Sequence, residues 1–318
     1  MMTEEVACSL CGSSGYRTIA TGTDREYGTT TDECWILGCL DCGLLYLSPR
    51  PRQSELGRIY PKAYHSYILK TGTGTGRWRG RAAKKRFRRI LLDHFVWHGM
   101  VRVLDVGCGN GWSLDLFQSV APRRIDPMGV EIDRTACRIA RHRGHQILEG
   151  RFEDVELPHQ FDLINMTHVI EHLADPKAAV AKAAAALDPG GHLVLETPNT
   201  GAWEFRFFRQ GAWGAYHIPR HWHFYNHRTI EQLGKSAGLR LVAWYCHPGP
   251  THWVWTFHNL ALARHWKWVE RLFDPVRIFR GGMVATVLLA AFYALDRLAL
   301  ALGAETSVMT AVFEKPSH

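Results

Sequence analysis

The chain has 318 residues, of which 46% are hydrophobic and 21% charged. That composition excludes a disordered or fibrous protein and leaves room for one large domain plus an appendage. A net charge of +8 favours an anionic partner, such as nucleic acid, a membrane surface or a phosphorylated substrate.

The opening Met-Met-Thr-Glu-Glu is not a basic segment followed by an apolar one, so no signal peptide is evident. A reducing cytoplasm is therefore expected, where clustered cysteines suggest metal rather than disulfides. Cys8-Ser9-Leu10-Cys11 and Cys39-Leu40-Asp41-Cys42 are two C-x-x-C knuckles, each followed directly by glycine, Gly12 and Gly43. Four thiolates converging from two turns suit tetrahedral Zn²⁺ and leave no open coordination position. Residues 1–70 are thus read as a small zinc ribbon with Cys8, Cys11, Cys39 and Cys42 as structural ligands, stabilised largely by its metal. A set of reduced, unligated cysteines or a redox pair is the alternative, and Cys34 is a bystander. Tyr60 and Tyr64 either close over a substrate or pack the ribbon onto the main domain.

Residues 71–98 form a basic linker and helix. Thr-Gly repeats at 71–76 give flexibility. A run from Arg77 to Arg89 then merges into Ile90-Leu91-Leu92, a basic amphipathic pattern. It is either a solvated helix face or a surface for anionic lipid or a diphosphate.

From 99 to 250 strand and helix alternate. Strands are predicted at 101–106, 127–132, 146–149, 161–166, 191–197 and 239–245. Helices are predicted at 112–120, 133–143, 176–187 and 229–237. The class is α/β, a Rossmann-like doubly wound sheet, which binds ligands at the C-terminal strand ends beside the first strand. There Asp105 precedes Gly107, Cys108, Gly109 and Gly111, giving D-x-G-x-G-x-G. Glycines let a ligand touch the backbone. An Asp at the loop's mouth repels phosphate and suits a cationic or amino-bearing ligand. S-adenosylmethionine has a sulfonium, an amino group, a ribose diol and no phosphate. Glu131 ends the next strand, about 20 residues on, where a carboxylate grips ribose hydroxyls. Ile132, Gly150–Phe152 and Thr167–His168 fall on the same edge.

In these runs the sequence resembles the class I S-adenosylmethionine-dependent methyltransferases. The matching segments are Val103–Gly111, Gly129–Asp133, Phe161–Pro176 (FDLINMTHVIEHLADP) and Leu187–Asn199 (LDPGGHLVLETPN), in the family's order. The N-terminal cysteines match a branch that includes sugar C-methyltransferases. The resemblance implies that adenine lies beside the residues after the third strand. Arg151 stands there in place of the family's acid, and Phe152 offers a ring for stacking, a backbone contact, or plain core packing. His168, Glu171 and His172 share one face of a helical turn, where similar quinone O-methyltransferases hold a metal with acids. Either they bind a divalent ion, or Glu171 and His172 hydrogen-bond across the floor of the site.

Beyond Thr197-Pro198-Asn199, the aromatic stretch 201–216 reads as a lid or pocket wall. His217, His221 and His223 then fall within seven residues of a loop. An attacking hydroxyl or carbon acid must lose a proton, and a neutral histidine accepts one. His221 matches the place of a histidine in the sugar C-methyltransferases, so His221 is the first candidate base and His223 the second, sharing its face if the segment is extended. Arg220 replaces the acid found there and suits a phosphate or carboxylate. The bland alternative is that these histidines bind substrate or pack on Trp222.

Residues 251–304 read as a helical insertion, either a cap over the pocket or a membrane-surface hairpin. The uncharged run Gly282–Leu295 is shorter than the ~20 residues of a spanning helix. Residues 305–318 supply an antiparallel last strand.

These features point to methyl transfer onto a small or lipid-linked anionic acceptor: a nucleotide sugar, saccharide or glycolipid. Quinone or phenol O-methylation is the alternative within the enzyme class. A zinc-ribbon RNA binder with a degenerate catalytic domain is the alternative outside it. Nucleic acid ranks low because the ribbon lacks interleaved aromatic and basic residues. The expected location is cytoplasmic, with peripheral membrane contact if the insertion or the basic helix touches lipid.

Overall fold

The computed structural model describes residues 1–60, 84, 85, 88, 99–120 and 125–317. Tyr64, the linker 71–76 and the basic helix lie outside the described residues, apart from Lys84, Lys85 and Arg88.

Seven strands form the central sheet: β6 (Val101–Val106), β7 (Ile125–Glu131), β8 (Gln146–Glu149), β9 (Phe161–Thr167), β10 (Leu187–Pro198), β12 (Arg240–His247) and β13 (Val308–Glu314). Their order is β12-β13-β10-β9-β6-β7-β8. β6 to β10 pair in parallel, and β13 runs antiparallel between β10 and β12. The runs VRVLDV and FDLINMT are apolar with little alternation because both faces of an inner parallel strand are covered. The helices follow their sequence signals. α2 (Trp112–Val120) follows the glycine loop. Asp133 caps α3 (Arg134–His142), accepting from the Ala136 amide at 2.7 Å. Asp175 caps α4 (Pro176–Ala186), which begins on proline. Asn226 and Thr229 form a reciprocal cap on α6 (His227–Ser236).

β10 begins four residues earlier than the sequence suggests. Its register is broken between Leu187 and His192, and Gly191 sits in the break. A Cβ there would lie 2.9–3.2 Å from the carbonyls of Asp188, Phe161 and Asp162.

The N-terminal module is closed by a distant segment. β1 (Thr3–Glu4) pairs with β5 (Arg50–Pro51), and the short α1 (Leu56–Ile59) follows. β2 (Tyr16–Gly22), β3 (Cys34–Cys39) and β4 (Leu45–Leu47) form an antiparallel sheet. Its fourth strand is β11 (His223–Phe224), from the loop between β10 and α6, with His223 opposite Tyr46. Arg50 adds a second link. It donates to Glu4 at 2.9 Å and to the Ala174 carbonyl at 3.0 Å, and stacks over Trp222.

The C-terminal insertion is helical. After the short α5 (Phe205–Phe208), it comprises α7 (Pro250–Arg264), α8 (Lys267–Leu272), α9 (Pro275–Arg280) and α10 (Met283–Ala301). α7 packs on the turn Gly214–Tyr216, where the Gly214 amide donates to Thr256 Oγ1 at 2.8 Å. The helix does not end with the uncharged run at Leu295. α10 continues for 19 residues, long and apolar enough to cross a membrane by length and composition. Asp296 fails to stop it because its carboxylate is fully buried, accepting from the Gly249 amide at 2.8 Å and Trp253 Nε1 at 2.9 Å.

Glu204, just before α5, is also buried, and burial pushes its carboxyl up to about 8. Its folded pKa exceeds its unfolded one, so the stability it allows is complete below the unfolded value of 4.5 and is lost as pH rises to about 8. Each pH unit in that window is worth about 1.4 kcal/mol. Glu204→Gln should therefore stabilise the protein more at pH 8 than at pH 5.5 in thermal unfolding. A pH-independent difference would refute the assignment.

Candidate active site

The cofactor edge is built at the tips of β6 and β7. Asp105 lies opposite Gly129 in register, so Asp105 and Glu131, two residues past Gly129, share one face of the sheet. Gly107, Gly109 and Gly111 all have positive φ, from +55° to +82°. The amides of Gly107 and Cys108 donate to the Val130 carbonyl at 2.8 and 3.2 Å, locking the loop to β7. Cys108 turns its sulfur under β7, 2.4 Å from where a Cβ on Gly129 would sit, so its side chain is structural. Glu131 lies across the loop: Oε2 accepts from the Gly109 amide at 2.8 Å, and Oε1 from the Ile132 and Asp133 amides at 2.8 and 2.9 Å. Ile132 is exposed beside it, an apolar surface on which a flat ring can rest.

Asp105 is not open at the mouth of the loop. It is buried, accepting from Asn165 Nδ2 at 2.6 Å and from the Ser113 hydroxyl. Its charge acts from the floor. Sequence reasoning missed Asn165, although an amide in the middle of the apolar run FDLINMT is the kind of signal that finds such a residue. After the third strand, Arg151 is engaged by Glu153 at 3.1 Å and by Gln53 of the N-terminal module. Phe152 is buried in the core under Lys182, so the stacking reading gives way to packing.

Past β9, Thr167 shares a hydrogen bond with Asn165, and His168 adopts φ +54°. His168 Nδ1 meets Glu171 Oε1 at 3.1 Å. Glu171 is fully buried and also accepts from Thr197 Oγ1 at 3.1 Å. Burial alone would raise its carboxyl, but the hydrogen bond from His168 and the charges of His168 and His172 hold it below its ordinary value. The trio expected on one helical turn is rearranged. The ligand atoms that fall within 4.8 Å of one another belong to Glu171, His172 and His221, with His221 taking the place of His168.

His221 is buried, and its ring meets His172 edge-on at 4.6 Å. Its Nδ1 donates to the Ala215 carbonyl at 2.8 Å, which leaves Nε2 as an acceptor, 4.0 Å from Glu171 Oε1. Burial, then the neighbouring His172 and His217, hold its pKa well below the usual value, so the ring is neutral. Burial lowers His172 too, against the opposing pull of Glu171. His172 Nδ1 donates to the Arg220 carbonyl at 3.0 Å, and the Tyr60 hydroxyl lies 2.9 Å from the same nitrogen.

Two expectations are corrected here. His223 does not join His221 beside Glu171 and His172. His223 sits instead in β11, stacked on Tyr225, and burial followed by the charge of Arg50 lowers its pKa to about 3. Arg220 is no receptor for a substrate anion. It is fully buried, bidentate to Asp24 at 3.1 and 2.7 Å and stacked over Tyr27.

The cysteine expectation concerns a separate centre. Cys8, Cys11, Cys39 and Cys42 converge, with Sγ atoms of Cys8 and Cys42, and of Cys11 and Cys39, 3.4 Å apart. Gly12 and Gly43 both take positive φ, closing the two knuckles. The donor set fits a tetrahedral thiolate site.

A glycine loop between two acidic strand tips, at the edge of a sheet whose last strand is antiparallel, defines the class. A family model described as methyltransferase domain matches residues 44–243. The chain belongs to that family, and its central domain is a class I S-adenosylmethionine-dependent methyltransferase domain. It is similar to the ubiquinone biosynthesis O-methyltransferase of Bordetella avium, 33% identical over 151 residues, 43% of this chain and 61% of that protein. The protein of the same name from Alkalilimnicola ehrlichii is 31% identical over 120 residues, 35% of this chain and 47% of that one. The chain thus spans roughly half to three-fifths of these relatives' length. A solved S-adenosylmethionine-dependent methyltransferase from Archaeoglobus fulgidus aligns over 74% of this chain and 94% of its own, with 18% identity and a TM-score of 0.46.

A Cβ on Gly107 would stand 2.7 Å from Val169 Cγ2, at φ +71°. Gly107→Ala should weaken S-adenosylmethionine binding by about tenfold or more, given the roughly 1–2 kcal/mol of left-handed strain. Unchanged affinity in calorimetry would show that the loop is not the cofactor site.

Proposed function

We propose that the protein methylates the hydroxyl of a phenol- or quinol-like acceptor, with His221 as general base. The supporting observation is the buried, neutral His221, whose Nε2 lone pair faces Glu171 and His172. Bound S-adenosylmethionine supplies an electrophilic methyl group, and Glu131 and Ile132 hold its ribose and adenine. Asp105 favours its cationic end from the floor of the site. The acceptor hydroxyl gives its proton to His221 Nε2 as its oxygen takes the methyl group. The electron pair of the broken C–S bond would stay with sulfur. Glu171, ionised and 4.0 Å away, stabilises the imidazolium that forms. Two curated relatives carry an O-methyltransferase name, which agrees with this reading.

The anionic acceptor loses one of its supports, because Asp24 already neutralises Arg220. A saccharide acceptor remains the second reading, favoured by the four-cysteine module. A third variant of the site chemistry has Glu171, His172 and His221 together hold a divalent ion that would acidify the hydroxyl. In the N-terminal module we assign Zn²⁺ a structural role, since four thiolates leave no position for substrate.

The test follows formation of S-adenosylhomocysteine with a catechol. His221→Ala should lower kcat by roughly 10²–10⁴ with cofactor affinity unchanged. Dialysis against a chelator followed by return of Zn²⁺ alone should leave the rate of the wild-type protein intact. A rate that vanishes on dialysis and returns only with Mg²⁺ or Mn²⁺ would replace the base reading with the metal one. A His221→Ala variant as fast as wild type would end both.

The zinc assignment has its own check. Metal analysis of the purified protein should find one zinc per chain, and Cys8→Ser should lose the metal and destabilise the N-terminal sheet. A metal-free wild-type protein with the same unfolding temperature would overturn it.

A further inference from the structure

α10 is turned inside out relative to a helix on a water-facing surface. Ala285, Leu289, Asp296 and Ala299 are buried, and Phe292 stacks on Trp253 of α7 with centroids 5.6 Å apart. The helix's acid therefore points inward, onto the Gly249 amide and the Trp253 indole. Of the exposed positions on α10, only Arg297 carries a charge. Met283 is 82% exposed and Leu302, just past the helix, 78%, with Val287 and Leu298 exposed between them. An apolar ridge about 28 Å long thus faces outward. Water-facing helices place charges on such a face.

The elements leading to the ridge complete the pattern. Trp268 is 72% exposed, and Trp266 and Val276 are also exposed. Exposed cations lie among them: Arg264, Lys267, Arg271, Arg277, Arg280 and Arg297. The acids of this region are occupied. Glu270 pairs with Lys267, Asp274 caps α9, and Asp296 is buried. Tryptophans at a polar–apolar boundary, an apolar helix face and an excess of arginine form the signature of an element lying in a membrane interface.

We infer that α8, α9 and α10 dock the protein on the surface of a bilayer containing anionic lipid, with the outer face of α10 in the headgroup–acyl boundary. The helix lies on the bilayer rather than crossing it. Crossing would strip Asp296 of both its hydrogen bonds and unstack Phe292 from Trp253. On its other side α7 packs against the turn Gly214–Tyr216, whose Ala215 carbonyl holds His221. Docking therefore sets the site one helix layer from the lipid, suited to an acceptor that partitions into membranes. The inference stands without the acceptor assignment, because it is read out on lipid alone.

The experiment is sedimentation of the full-length protein with vesicles of phosphatidylcholine and phosphatidylglycerol (3:1), and with phosphatidylcholine alone, in 50 mM and 500 mM NaCl and without cofactor. The protein should sediment with the anionic vesicles at low salt and be largely released at high salt. Val287→Glu with Leu298→Glu should reduce binding at least tenfold while calorimetry shows unchanged S-adenosylmethionine affinity. Should that variant misfold, wild-type tryptophan fluorescence decides. Brominated lipid should quench it, and Trp268→Phe should remove most of the quenching. Protein that stays in the supernatant with anionic vesicles at low salt overturns the inference. So does a face covered by a second copy: a dimer by light scattering that the double substitution makes monomeric without changing vesicle binding.

Discussion

The ion pair between Arg220 and Asp24 is the constraint on which the site depends. Neither side chain sees solvent, and the guanidinium is held by both carboxylate oxygens and by the ring of Tyr27. A bidentate, dry pair of this kind fixes geometry more than it adds net stability, because desolvation of both charges offsets their attraction. What it fixes is the turn 217–222. The Arg220 carbonyl receives His172 Nδ1, and the next residue is His221. The N-terminal module therefore holds His221, the proposed base, in the central domain, although Asp24 and Arg220 are 196 residues apart in sequence. Burial alone would favour protonation of Asp24, but the hydrogen bonds and charge of Arg220 outweigh it and keep the carboxyl below its ordinary value.

The central sheet was legible because its signals are local. Strands 101–106 and 146–149 and helix 112–120 match the observed bounds, since burial on both faces, glycine turns and caps act within a few residues. The cofactor edge was legible for the same reason: Asp105, the glycines and Glu131 stand at fixed offsets along two adjacent strands. The cysteine convergence was legible from spacing alone.

What escaped the sequence was set by contact at long range. Arg220 has the chemistry to bind an anion, and nothing near it in the chain reveals that Asp24 already does so. His223 read as the second candidate base, and only its pairing with Tyr46 across the chain shows that it belongs to β11. The helix runs on past the uncharged stretch that ends at Leu295, because Asp296, which reads as polar surface, is satisfied inside by Trp253 and Gly249. Phe152 offered a ring, but only the fold shows that Lys182 lies over it in the core.

The two-residue strand β11 carries a consequence for biosynthesis. On the ribosome, the cysteine knuckles and three strands of the N-terminal sheet emerge within the first fifty residues, while the strand that covers the edge of β4 arrives with residue 224. Until then β4 presents unpaired backbone, a template for other chains. Early loading of the knuckles with metal would hold the nascent sheet compact through that interval, and the late arrival of β11 gives the assembly a high contact order. The same stitch that positions His221 also ties completion of the N-terminal sheet to the emergence of residue 224.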